Sequence, residues 1–274
     1  MKLIKPILAF LICSQLSAQV LLNADGPGNT YELISSVLAP GYKPIETPGT
    51  RKNDCDNHSS FKGTHITEIF DKELNRHVFK FLIHVNEDND RCKKFDRQRN
   101  EIKSYDKSPD NLKGTKGETV VYQWKFKLDK GFQVSKNFTH LHQLKAVGGS
   151  EKNMPLITLT ARKANPDKLE LRYSSALDQN TLTSVPLDAF KGNWVEVTET
   201  VTYGEKGNAK FSMLIIDHKT GREILKYSSS QLRMWKTNAD FVRPKWGIYR
   251  SLKRASDLRD EEVLFADFSI KEIE

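Results

Sequence analysis

Alternation of apolar and polar residues with a period of two runs through most of this chain. Thr119–Leu128 sets Tyr122, Trp124, Phe126 and Leu128 against Val121, Gln123, Lys125 and Lys127, the pattern of a strand with one buried face. His77–Val85 places Phe79, Phe81, Ile83 and Val85 on one side in the same way. Leu169–Tyr173, Trp194–Tyr203, Lys210–Asp217, Lys245–Arg250 and Val263–Ile270 share the habit and are rich in β-branched and aromatic residues. Turn-forming clusters part them, among them Asp129-Lys130-Gly131, Gly148-Gly149, Asn165-Pro166-Asp167 and Lys219-Thr220-Gly221. Helical periodicity is confined to Tyr31–Leu38 and Ser229–Trp235. Many evenly spaced strands without a βαβ rhythm predict an all-β fold, a two-sheet jelly-roll sandwich with a concave groove on one sheet. Nothing in the chain reads as a repeat or linker, so one domain is expected over residues 19–274. Residues 40–60, with Pro40, Pro44 and Pro48, read as a loop pinned by Cys55.

Residues 1–18 have the form of a secretory signal. Lys2 and Lys5 form a basic start, Ile7 to Cys13 an apolar core, and Ser17-Ala18 a small-residue exit. The apolar run is too short to span a bilayer. A secreted protein, extracellular or periplasmic, is therefore expected, with no membrane partner. Losing the signal removes two lysines and no acids, which takes the net charge from +8 to +6. A basic exported chain suits a polyanionic partner. Nucleic acid is not expected to be that partner, because the chain lacks a His-Asn-His-like or paired-carboxylate metal motif. A monomer is expected. Cys55 and Cys92 remain after export, and an even pair in an oxidising compartment predicts one disulfide. Closing a loop of about 37 residues would stabilise the fold by roughly 3–4 kcal/mol. The rival, a zinc site joining these cysteines to His58 or His65, lacks a Cys-x-x-Cys pair.

Three further strand-like segments are polar where a buried strand would be apolar. They are Arg97-Gln98-Arg99-Asn100-Glu101-Ile102-Lys103, His140-Leu141-His142-Gln143-Leu144-Lys145 and Lys245-Trp246-Gly247-Ile248-Tyr249-Arg250. Alternate side chains share a face, so Arg99, Glu101 and Lys103 project together, as do Gln143 and Lys145, and Lys245 and Tyr249. By the same count His142 lies on the opposite face from Gln143 and shares its side with His140. A sheet face lined with Arg, Lys, Gln and Tyr suits an anionic, hydroxyl-rich polysaccharide.

Cleaving a polyuronate by β-elimination requires three jobs. One group neutralises the C5 carboxylate, a base removes the C5 proton, and an acid protonates the departing O4. Gln143 fits the first, Lys145 the second once neighbouring cations or burial lower its pKa, and Tyr249 the third. His142 competes as base because it titrates in the useful range. Arg99, Asn100, Glu101, Lys103, His140, Lys245, Arg250 and Arg97 are candidate substrate-binding residues.

Here a resemblance enters. Arg99-Asn100-Glu101-Ile102-Lys103 resembles the Arg-x-Glu-x-Arg strand of jelly-roll alginate lyases. Gln143-Leu144-Lys145 is similar to their Gln-x-His, with lysine in place of histidine, and Lys245-Trp246-Gly247-Ile248-Tyr249 resembles their Lys-x-Gly-x-Tyr. The segments Asn23–Glu32, Asp96–Lys103, His140–Gly149 and Arg243–Ser251 resemble secreted jelly-roll ulvan lyases of marine bacteria. That resemblance implies endolytic cleavage of ulvan between a sulfated rhamnose and a uronic acid, leaving an unsaturated uronyl end. It also implies that Arg97, Lys163, Arg172 and Arg250 contact sulfate. No cofactor is required for such chemistry. A structural calcium ion, as in other jelly-roll lyases, would find ligands in Asp25, Glu32 and Asp267.

Glucuronan and alginate are the alternative substrates. A non-catalytic polysaccharide-binding module and a glycoside hydrolase are the alternative functions. The first should rely on exposed aromatic platforms, and the second needs two carboxylates across the cleft.

Overall fold

The computed structural model describes residues 19–48 and 63–273. Fifteen strands and one α-helix follow in order: β1 (Val20–Leu22), α1 (Thr30–Leu38), β2 (Ile45–Glu46), β3 (Ile66–Asp71), β4 (Arg76–Ile83), β5 (Arg97–Lys103), β6 (Thr119–Leu128), β7 (Thr139–Gly148), β8 (Ile157–Arg162), β9 (Lys168–Tyr173), β10 (Asn180–Pro186), β11 (Val195–Thr202), β12 (Lys210–Asp217), β13 (Glu223–Ser229), β14 (Ala239–Ser251) and β15 (Glu261–Ile273). Two antiparallel sheets form a jelly roll. One runs β13-β12-β11-β6-β15-β4-β3, with β1 added to β15, and the other runs β10-β9-β8-β7-β14-β5-β2.

The alternation read from β6 becomes the wall between the sheets. Val120, Tyr122, Trp124, Phe126 and Leu128 are buried, while Gln123 is exposed. They meet Phe79 and Phe81 of β4, Phe265 and Phe268 of β15, and Ile102, Leu144 and Trp246 of the opposite sheet in one continuous core. The helix α1 buries Thr30, Ile34 and Leu38, spaced one turn apart.

Ser229–Trp235 is not helical. The backbone N–H of Arg233 donates to Tyr173 Oη at 3.0 Å and that of Met234 to the Gly204 carbonyl at 2.9 Å. Both bonds leave the segment, which buries Met234 and Trp235 as a loop. The apolar spacing there reflects core anchoring and not a helical face. The expected signal segment and Cys55 lie outside the described residues, so the Cys55–Cys92 bridge remains an expectation.

Gly247 fixes how closely β14 approaches β5. Its φ is +141°, and a Cβ there would stand 2.1 Å from the Asn100 carbonyl oxygen. Neither strain nor clash can relax without moving a central strand. Gly247→Ala is therefore expected to destabilise the fold by on the order of 3 kcal/mol, read as a lowered urea midpoint with an unchanged slope.

Candidate active site

The three polar strands lie side by side in the second sheet, with β14 between β7 and β5. Register places Tyr249 opposite Arg99 on β5 and opposite His140 on β7, and Lys245 opposite Lys103 and Gln143. Arg97, Arg99, His140, Gln143, Lys145 and Tyr249 line one cleft of about 390 Å³. Phe138, Asn153, Arg162, Arg172 and Gln179 line it as well.

A bulge decides which histidine faces the cleft. Leu141 is the extra residue on β7: His140 pairs with Thr160 and His142 with Leu159 of β8. The inserted residue reverses the alternation. His140 therefore joins Gln143 and Lys145 in the cleft, contrary to the simple strand count, and His142 points between the sheets. There the His142 side chain is fully enclosed, its Nε2 2.8 Å from Glu199 Oε2 and its ring 4.4 Å from that of Trp124. His142 cannot reach a substrate and is withdrawn as a base.

Alternation also withdraws two binding candidates. Asn100 faces inward, where its amide donates to the carbonyls of His65 and Leu82. Arg250, 1% exposed, donates to Gln98 Oε1 at 2.7 Å and to the Arg259 carbonyl at 2.9 Å. Of the cations expected to meet sulfate, Lys163 is paired with Asp257 at 2.9 Å. Arg172 does line the cleft but is held by Glu170, Gln179 and Thr181. Arg162, which lines the cleft beside it, was not anticipated.

Beneath the cleft floor lies a buried charge network. Glu46 on β2 pairs in register with Glu101 on β5. Two adjacent carboxylates repel unless cations interleave. Lys245 Nζ lies 2.6 Å from both, Lys103 Nζ 2.7 Å from Glu46, and Arg99 bonds Glu101. Arg91 closes the other side of Glu46, and Asp90 accepts from Arg99 at 2.9 Å. Glu101 also accepts from the Gln143 amide. Despite burial, Lys245, Lys103, Arg99 and Arg91 hold the Glu46 carboxyl well below its usual range. Glu101, Lys103 and Lys245 are thus scaffolding for the residues that face the cleft. Glu46 and Asp90 were missed in the sequence because neither sits in an alternating run.

Lys145 stands apart from this network. It has no acidic partner among the described residues and donates only to the Asn153 carbonyl, at 3.0 Å. Burial, reinforced by Lys245 and Arg99, lowers it to about 7. Lys103 is also lowered to about 7, chiefly by burial, but it is tied to Glu46 and faces a neighbouring recess. Burial pushes His140 down to about 3, so it is neutral and a much weaker base. Tyr249 is flanked by cations: Arg97 Nη1 donates to its Oη at 3.0 Å, and the Arg99 guanidinium lies 3.6 Å from its ring centre. Phe138 packs 5.1 Å from that ring and stacks on His140.

The acids expected to hold calcium do not converge. Asp267 accepts from Arg76 at 2.7 Å and from Lys125 at 2.8 Å. Among the described residues it forms no ligand group with Asp25 and Glu32.

A family model described as "Polysaccharide lyase" matches residues 56–268. No curated protein matches the chain. Among solved structures, the endo-β-1,4-glucuronan lyase of the fungus Trichoderma reesei is 14% identical, with a TM-score of 0.56 over 85% of this chain and 92% of that one. The marine alginate lyase of Aplysia kurodai is 14% identical, with a TM-score of 0.57 over 93% and 99%. An alginate lyase of polysaccharide lyase family 7 is 13% identical, with a TM-score of 0.52 over 84% and 94%. These likenesses establish the jelly-roll fold.

Removing one partner of a buried ion pair leaves the others uncompensated. Glu46→Ala is expected to lose about 3–5 kcal/mol of stability, measured by chemical denaturation. An unchanged midpoint would show that the network contributes little.

Proposed function

We propose an ulvan-cleaving activity for this chain, which belongs to the polysaccharide lyase family. In this reading it is an endolytic enzyme that breaks the bond between sulfated rhamnose and a uronic acid by β-elimination. Export, read from residues 1–18, would bring it to the polymer outside the cell. The observation that carries the reading is the meeting of Gln143, Lys145 and Tyr249 in one cleft that no carboxylate lines among the described residues.

The chemistry follows from the side chains. A uronate carboxylate beside Gln143 and Arg99 loses part of its charge to hydrogen bonding and to the guanidinium, which acidifies the C5–H. Lys145, with a pKa of about 7, is substantially unprotonated at neutral pH and takes that proton. Electrons from the C–H bond form the C4–C5 double bond as the C4–O4 bond breaks. Tyr249 gives its proton to O4, and Arg97 remains hydrogen-bonded to the phenolate left behind.

Hydrolysis with two carboxylates fits poorly. Glu101 is 1% exposed and engaged by Arg99, Lys245 and Gln143, and no second acid faces it across the cleft among the described residues. A pure binding module should present exposed aromatic platforms, whereas cations, Gln143 and Tyr249 dominate this cleft. Glucuronan and alginate stand as alternative substrates, supported by the glucuronan and alginate lyases that share the fold. The resemblance of four segments to ulvan lyases favours ulvan.

Incubation with ulvan, glucuronan and alginate, followed by ultraviolet absorbance of the conjugated uronyl double bond, tests the reading. Ulvan is expected to give the fastest rise, and saturated ends alone would refute elimination. Lys145→Ala and Tyr249→Phe should each lower kcat by about 10²–10⁴-fold, with oligosaccharide binding retained in Tyr249→Phe.

The pH profile gives a second check. Because the unprotonated amine is the active form, kcat/KM of the free enzyme should rise with pH and level off above about 7. A limb that persists in Lys145→Ala would assign the base elsewhere.

A further inference from the structure

On the face of β5 turned away from the cleft, His65, His84 and Asp88 converge. One ligating atom of each lies within 4.8 Å of the others. His65 Nε2 is 2.9 Å from Asp88 Oδ1, and His84 Nδ1 is 3.3 Å from Asp88 Oδ2. His65 and Asp88 are each 4% exposed, and His84 is half-buried. We propose that these three side chains form a zinc site that fixes the loop behind the active centre.

The donor set suits the ion. Two imidazoles and one carboxylate are ordinary zinc ligands, with bonds of about 2.0–2.2 Å. Tetrahedral geometry then separates neighbouring donors by roughly 3.3–3.6 Å, close to the 2.9 and 3.3 Å between the Asp88 oxygens and the two imidazoles. Centring an ion would draw the three ligating atoms closer together than the 4.8 Å within which they lie.

The surroundings hold the ligands in place, as metal sites require. The His65 carbonyl accepts from the Asn100 amide at 2.9 Å and from the Leu82 N–H at 2.8 Å. Gln98 Nε2 donates to the carbonyls of Asp88, at 2.9 Å, and Val85, at 3.0 Å. Both Gln98 and Asn100 hang from the inner face of β5, whose outer face carries Arg97, Arg99 and Glu101. The Asp88 carboxylate also accepts from the His84 N–H at 2.7 Å, which folds the segment back on itself.

The position explains what the ion would do. Asp88 precedes Asp90, which grips Arg99, and Arg91, which grips Glu46. Zinc bound to His65, His84 and Asp88 ties strands β3 and β4 to this segment, and so steadies the guanidinium packed on Tyr249. It takes no part in the elimination, and the inference does not depend on which polymer is cleaved.

The test uses the whole secreted protein, stripped with a chelator, incubated with zinc chloride and freed of excess by gel filtration. Elemental analysis is expected to find one zinc ion per chain, with a melting temperature above that of the stripped protein. His84→Ala should retain no zinc and show no zinc-dependent shift in melting. His84→Gln, which keeps the side chain polar and of similar size, serves if the alanine variant does not fold. A wild-type protein that retains no zinc overturns the proposal, as does a folded His84 variant that retains a full equivalent.

Discussion

Two carboxylates set next to each other in a nearly dry interior govern this site. Glu46 and Glu101 face one another across β2 and β5 and are 8% and 1% exposed. Left alone, such a pair would take up a proton or force the strands apart. Lys245 bridges them, while Lys103, Arg99 and Arg91 close the remaining sides. The network assigns an acid to every cation in it and thereby locks three strands in register. Lys145 sits at its margin, feels Lys245 and Arg99, and has no acid of its own among the described residues. Burial, together with the same charges that hold the scaffold, therefore lowers the pKa of this amine.

The sandwich was legible because its core strands obey a period of two. In β6 every second residue is buried from Val120 to Leu128, and no tertiary contact disturbs the count. The site was legible only where pairs two apart stayed in register. Gln143 with Lys145, and Arg97 with Arg99, face the cleft as counting requires. Counting fails at Leu141, because a bulge is a property of two strands and leaves no mark on one of them. For that reason His140 turns to the cleft, while His142 keeps the inner face that counting gives it. Asn100 and Arg250 failed differently. They flank residues that face the cleft, so alternation itself turns them inward. Glu46 had no signal, since a strand of two residues within a proline-rich stretch shows no period.

The inward polar residues are not idle. Gln98, Asn100 and Arg250 fill the space behind β5 with hydrogen bonds to backbone carbonyls and to one another. Burying such groups costs free energy unless each finds partners. Here the partners are the loop carbonyls of His84, Val85 and Asp88 and the carbonyls of His65 and Leu82. One strand thus presents charge to the cleft on one face and clasps irregular backbone with the other. A purely apolar inner face could not hold those loops, because their carbonyls would lack donors.

A lysine acting as base beside an anionic polymer, as proposed for Lys145, would face a problem of sign. Each anionic group of a substrate bound near Lys145 would favour its ammonium form and work against that role. Histidine suffers less, since its intrinsic pKa already lies near neutrality. The cleft answers with cations that outlast substrate entry: Arg99, anchored by Asp90 and Glu101, and Lys245, anchored by Glu46 and Glu101, cannot swing away to meet the ligand. Gln143 adds a neutral donor beside the amine in the same cleft. In the proposed mechanism, burial together with this held charge is what would let lysine serve as base. In that mechanism the buried carboxylates that pin those cations would support the base, although neither faces the cleft.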